Sequence, residues 1–178
     1  MSSSRRREDR ILDPSYLADL ETLPIEELRK KKADCEELEA GLSYSRRLLH
    51  GRLDILKHEA ESRASGGATD TTQLIEDLPS ILAEGPSTSS GRLPRILYPQ
   101  DLDRQRREVE RLVSDATLAQ IDSLSSEELG SALDRLLSSE REISESRRRV
   151  QEVMDAISAE IVSRYREGRE DPSALLRS

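Results

Sequence analysis

A chain of 178 residues with 34% hydrophobic and 36% charged residues, no Trp, no Phe and four Tyr lacks the apolar half and the aromatics that a globular core usually needs. A compact α/β enzyme or a β-sandwich is disfavoured, which leaves long helix, coiled coil, partial disorder or a mixture. The net charge of −8 argues against sequence-independent nucleic-acid binding, which needs a basic footprint.

In chain order, residues 1–22 are an N-terminal segment. Its first 13 residues are polar and expected to fray, and Pro14 suits the first turn of a short helix reaching Leu20. A first long helix is expected over 23–63. Residues 64–98 read as a linker, because Gly66, Gly67, Gly85, Gly91, Pro79, Pro86 and Pro94 fall among its Ser and Thr. The linker holds one apolar island, Leu74, Ile75, Leu78, Ile81 and Leu82, read as a transient helix. A short helix is expected within 99–122, over about 101–118, then a second long helix over 123–167 and a tail at 168–178. Ser125 with Glu128 forms a capping box, and Leu124 with Leu129 a hydrophobic staple, at the start of that second long helix. Leu23, Pro24, Glu27 and Leu28 repeat this in weaker form.

Cys35 is the only cysteine, which excludes an intrachain disulfide and a cysteine-rich zinc site and points to a reducing compartment. No apolar run reaches the roughly 18 residues needed to span a bilayer. The basic start lacks the apolar segment of a signal peptide. A cytoplasmic soluble protein is expected.

The chain repeats itself. Residues 20–60 align without a gap to 121–161, at a constant offset of 101. Leu23, Glu26, Glu27 and Leu28 match Leu124, Glu127, Glu128 and Leu129. Glu39, Ser43, Ser45, Arg46, Arg47 and Asp54 match Glu140, Ser144, Ser146, Arg147, Arg148 and Asp155. Cys35, Leu42, Leu49 and Leu56 recur every seven residues, as do Leu129, Leu136, Ile143, Val150 and Ile157. These are the d positions of a heptad, so an all-α fold is expected: an antiparallel coiled-coil helical hairpin with shorter helices and a flexible linker. Two consecutive a positions are then charged in both helices, Glu39 and Arg46 in the first, Glu140 and Arg147 in the second. Seam charges cost stability unless they are paired or used.

Glu140, Ser144, Arg147, Gln151 and Asp155 project onto one stripe about 80° wide and about 22 Å long. Glu39, Ser43, Arg46, His50 and Asp54 occupy the same stripe of the first helix. A charged strip is most often a solvated helix face, but this one lies on the seam and is present twice. It admits two readings. One is a register-setting ion-pair network in a structural coiled-coil adaptor, with Glu39 and Arg46 paired across to Arg147 and Glu140. The other is a ligand site. Arginine donates to guanine O6 and N7, a carboxylate accepts from the guanine ring N–H and amino group, and Ser, Gln and further arginines suit phosphate and ribose. Arg47 and Arg148 are candidate phosphate contacts.

The spacing Glu-x3-Ser-x2-Arg-x3-Gln-x3-Asp resembles the signature of the RsiG family, actinobacterial anti-sigma factors that depend on cyclic di-GMP. Glu140, Ser144, Arg147, Gln151 and Asp155 match it in full, and Glu39, Ser43, Arg46, His50 and Asp54 with His in place of Gln. The resemblance covers both long helices. It implies a hairpin carrying one motif per helix, with a cyclic di-GMP dimer bound by both. The nucleotide would lie at a 1:1 interface with a flagellar-type, WhiG-like sporulation sigma factor, held inactive until the nucleotide falls. His50 is the one departure: an imidazole lacks the reach and dual character of an amide. A third reading is a sigma-factor binder without nucleotide. No phosphate loop, nucleophile elbow or paired catalytic carboxylates occur, and the two histidines, His50 and His58, form no metal-ligand cluster. The chain is expected to be no enzyme, to hold no metal, and to bind neither DNA nor membrane. Cys35, at a d position, is expected to pack in the core.

Overall fold

The structure is a computed structural model that describes residues 3–66, 106–107 and 109–170. The expected linker, with its island at 74–82, lies outside the described residues except at its first positions. So do residues 171–178 of the expected tail.

The fold is all-α. Among the described residues the fold has helices α1 (Ser3–Ile11), α2 (Ile25–Ala64), α3 (Asp115–Ala119) and α4 (Ser126–Arg166), with 3-10 turns at Pro14–Leu17 and Ile121–Ser123. The two long helices, α2 and α4, run through two compact units. One holds the chain ends (Met1–Leu42 and Glu145–Ser178), the other the middle (Ser43–Ser144).

In the terminal unit, α2 and α4 pack antiparallel around Leu28, Cys35, Leu38, Val150 and Ile157. Ile11 and Tyr16 join this cluster from the N-terminal segment. In the central unit, Leu49, Leu53 and Leu56 of α2 meet Leu129, Ala132 and Leu136 of α4, closed by Val109, Val113 and Ile121. The d positions Cys35, Leu49, Leu56, Leu136, Val150 and Ile157 are fully buried, as a seven-residue apolar period requires.

The ends of the helices follow from local chemistry. The backbone N–H of Ser125 donates to Glu128 Oε2 (2.8 Å), and that of Glu128 to Ser125 Oγ (3.2 Å). This reciprocal pairing satisfies amides at the helix start that have no partner within the helix. At the other end of α4, Gly168 takes a left-handed φ of 70°. The Arg169 N–H can then reach the Arg164 carbonyl at 2.9 Å, a Schellman closure that glycine permits at no steric cost.

Three expectations are corrected. Residues 1–13 do not simply fray, because residues 3–11 form α1. Three residues tie it down: Ile11 is fully buried, and Arg7 and Arg10 pair with Glu37 (2.7 Å) and Asp34 (3.0 Å) of α2. Asp13 then caps the 3-10 turn, accepting from the Ser15 N–H at 2.8 Å with Pro14 next in the chain. That turn ends at Leu17, before Leu20. Nor is the region 99–122 one short helix, since residues 111–113 form a turn and bend, while 99–105 and 108 lie outside the described residues. Arg52 of α2 donates through Nε to the Val113 carbonyl (3.1 Å), taking an acceptor that a continuing helix would use. Ser114 caps the next helix by accepting from the Thr117 N–H (3.0 Å). Away from the seam, α2 also buries Ala40, Gly41 and Ser45, so it is covered on more than one face.

Candidate functional site

The antiparallel crossing regroups the two motifs. Each motif reads along one helix in sequence, but in space each unit holds a carboxylate from one helix and an arginine from the other.

In the central unit, Arg46 of α2 donates through Nε to Glu140 Oε1 (3.1 Å) and Ser144 Oγ (3.0 Å) of α4. The Ser144 hydroxyl donates to Glu140 Oε1 (2.7 Å), and His50 Nε2 lies 3.1 Å from that same oxygen. One carboxylate oxygen thus gathers three side chains. Ser43 and Asp54 complete the first motif here, both half-buried. In the terminal unit, Arg147 donates through Nε to Glu39 Oε1 (3.1 Å), and Gln151 Nε2 approaches the same oxygen at 3.4 Å. Asp155, also in this unit, is exposed. The expected cross-helix pairs, Arg46 with Glu140 and Arg147 with Glu39, therefore form. Neither is deeply buried: the Arg46 side chain is 38% exposed and that of Glu140 20%.

Partial burial opposes charge on Glu140, but the bonds from Ser144, His50 and Arg46 outweigh it and hold the carboxyl down at about 2. Glu140 is therefore ionised throughout the neutral range and acts as a strong acceptor beside the Arg46 donor. Arg47 is exposed, and Arg148, also exposed, is braced by Glu145 (2.8 Å) and Glu152 (2.9 Å) of its own helix. Cys35 is fully buried, and burial pushes its thiol up to about 11, which suits packing and not nucleophilic attack.

Sequence reasoning missed a second set of paired residues. Arg63, near the end of α2, donates to the carbonyls of Leu124 (2.6 Å) and Ile121 (2.9 Å) in the central unit. Arg164, near the end of α4, donates to those of Leu23 (2.5 Å) and Leu20 (2.5 Å) in the terminal unit. Glu59 and Glu160 orient the two arginines through their Nε atoms, at 2.5 and 2.8 Å. Every member of one set lies 101 positions from its counterpart in the other. The same offset that revealed the strip contained these latches and also the caps Asp13 and Ser114.

An all-α hairpin with mutually paired donors and acceptors along its seam, and a buried inert cysteine, is a coiled-coil protein with a polar seam. The sequence model of the RsiG-like family matches residues 14–82 and 115–178, and the chain belongs to that family of regulatory anti-sigma factors. The family is regulatory and not enzymatic. No curated protein matches the chain. Among the described residues no helix is long and apolar enough to cross a membrane.

Proposed function

We propose that this anti-sigma factor binds a cyclic di-GMP dimer through its two motifs and, with the nucleotide at the interface, sequesters a WhiG-like sporulation sigma factor in a 1:1 complex. The ligand residues are Glu39, Ser43, Arg46, His50, Asp54, Glu140, Ser144, Arg147, Gln151 and Asp155, with Arg47 and Arg148 as further phosphate contacts. The carrying observation is the duplicated strip: each unit sets an arginine Nε 3.1 Å from a carboxylate oxygen across the seam. Those are the donor and acceptor that a guanine edge would take up separately. Calorimetry of the chain with a WhiG-like sigma factor, with and without cyclic di-GMP, tests the reading. Binding should require the nucleotide and should be lost in Arg147→Ala or Asp155→Ala, with helicity retained. Equal affinity in both conditions would refute it.

The cross-helix pairs also favour a second reading, a coiled-coil adaptor whose polar layer only sets register. Replacing Glu39, Arg46, Glu140 and Arg147 together by Leu would then raise the melting temperature and leave partner binding intact. Loss of partner binding counts against it.

A further inference from the structure

The reading groups of both half-sites are already engaged with one another. A guanine edge offers ring N–H and amino donors to a carboxylate and O6 and N7 acceptors to an arginine. Glu140 and Arg46 supply that same complement to each other at 3.1 Å, and Glu39 and Arg147 do so at 3.1 Å. We propose that the ligand-free strip is self-closed, so that a guanine nucleotide binds by exchange, displacing the cross-helix arginine–carboxylate pairs, with His50 acting as a clamp that holds Glu140 in the closed state. This rests on the nucleotide reading above, concerns how that same site is regulated, and changes one role in it: His50, counted there among the ligand residues, serves the closed state instead of the ligand.

Three observations carry the clamp. Arg46, Ser144 and His50 converge on one oxygen, Glu140 Oε1, at 3.1, 2.7 and 3.1 Å. Arg46 and Ser144 are also bonded to each other at 3.0 Å, so neither leaves without disturbing the other. The equivalent amide of the other half-site, Gln151, stands farther from its carboxylate, at 3.4 Å. The imidazole therefore makes the closer contact at the one position where the two motifs differ. A ligand entering the central half-site must replace three donors on Glu140 and gains only those that a guanine returns. Removing the donor that serves the closed state should favour the ligand.

The test uses the full chain. Without ligand, arginine Nε–H signals are followed by nitrogen-resolved NMR, with Arg46 and Arg147 assigned through their Lys variants. Their Nε–H protons should exchange with water at least tenfold more slowly than that of exposed Arg47, and Glu140→Gln should speed only Arg46. Cyclic di-GMP is then titrated calorimetrically into the wild type and His50→Ala, where the variant should bind several-fold more tightly. Exchange of Arg46 as fast as that of Arg47 overturns the self-closed strip. Weaker nucleotide binding by His50→Ala overturns the clamp and makes His50 a ligand contact. If cyclic di-GMP binds neither protein while Arg46 stays protected, exchange in the free chain is overturned and the closed pairs act as a register layer there, while the nucleotide reading itself is decided by the calorimetry with the sigma factor.

Discussion

Replacing Glu140 with Gln keeps the shape of the side chain and removes the charge on which Arg46, Ser144 and His50 converge. The wild-type carboxyl is held at about 2 against an ordinary 4.5, a difference of about 3 kcal/mol if none of it were screened. The Arg46 and His50 side chains are 38% and 41% exposed, so solvent screening reduces this to about 1–2 kcal/mol. For a chain of this length that corresponds to a fall in melting midpoint of about 2–8 °C at pH 7. The sign of the pH dependence is fixed by the direction of the shift. A carboxyl lowered in the folded state contributes fully above its unfolded value, and the contribution is lost as pH falls from about 4.5 towards about 2. Thermal melts followed by circular dichroism at pH 7, 4 and 2.5 should show wild type and variant converging on acidification. Other lowered carboxyls, such as Asp13, Glu128 and Glu145, are present in both proteins and cancel in the difference. A gap that stayed constant across the three pH values would refute the assignment of Glu140 as the charged hub.

Arg164→Ala should cost about 2–4 kcal/mol, because it leaves the Leu20 and Leu23 carbonyls without their donor and removes a side chain that is almost wholly buried; chemical denaturation measures it, and a loss under about 0.5 kcal/mol would contradict the latch. Ser125→Ala should lower stability by about 1 kcal/mol and speed amide exchange in the first turn of α4, since it removes the cap on the Glu128 N–H. Leu136→Ala, at a fully buried d position of the central unit, should cost about 2–5 kcal/mol, far more than any strip substitution, in the same denaturation assay.

The seam was legible because apolar residues recur every seven positions, and only Leu42 and Ile143, beside the polar strip, are partly buried instead of buried. Cys35, Leu49, Leu56, Leu129, Leu136, Val150 and Ile157 are all buried, and an apolar period alone marks them. The cross-helix charges were legible for a related reason: a Glu and an Arg at consecutive a positions of both helices can be paired once the helices run antiparallel. The N-terminal helix was hidden, because among its described side chains only Ile11 is buried, amid charged neighbours. The break before α3 was equally invisible, since the donor that takes the Val113 carbonyl is Arg52, 61 positions away. Arg63 and Arg164 resemble surface arginines in composition. Only the 101-residue offset, followed past the strip to both helix ends, would have singled them out.

A coiled coil with two consecutive charged seam layers needs something else to hold it closed, and each unit supplies that for itself. The half-site Glu39–Arg147 shares its unit with the core of Cys35, Leu38, Val150 and Ile157 and with the Arg164 latch. The half-site Arg46–Glu140 shares its unit with the core of Leu49, Leu53 and Leu136 and with the Arg63 latch. The energies are unequal. A partly exposed ion pair is worth at most about 1 kcal/mol, whereas one buried leucine carries about 2–5 kcal/mol and a latch satisfies two backbone carbonyls at once. The strip can therefore give up its internal bonds without loosening either core. On the proposal made above, this difference in scale would let the same charges close the seam when alone and turn to a ligand when one arrives.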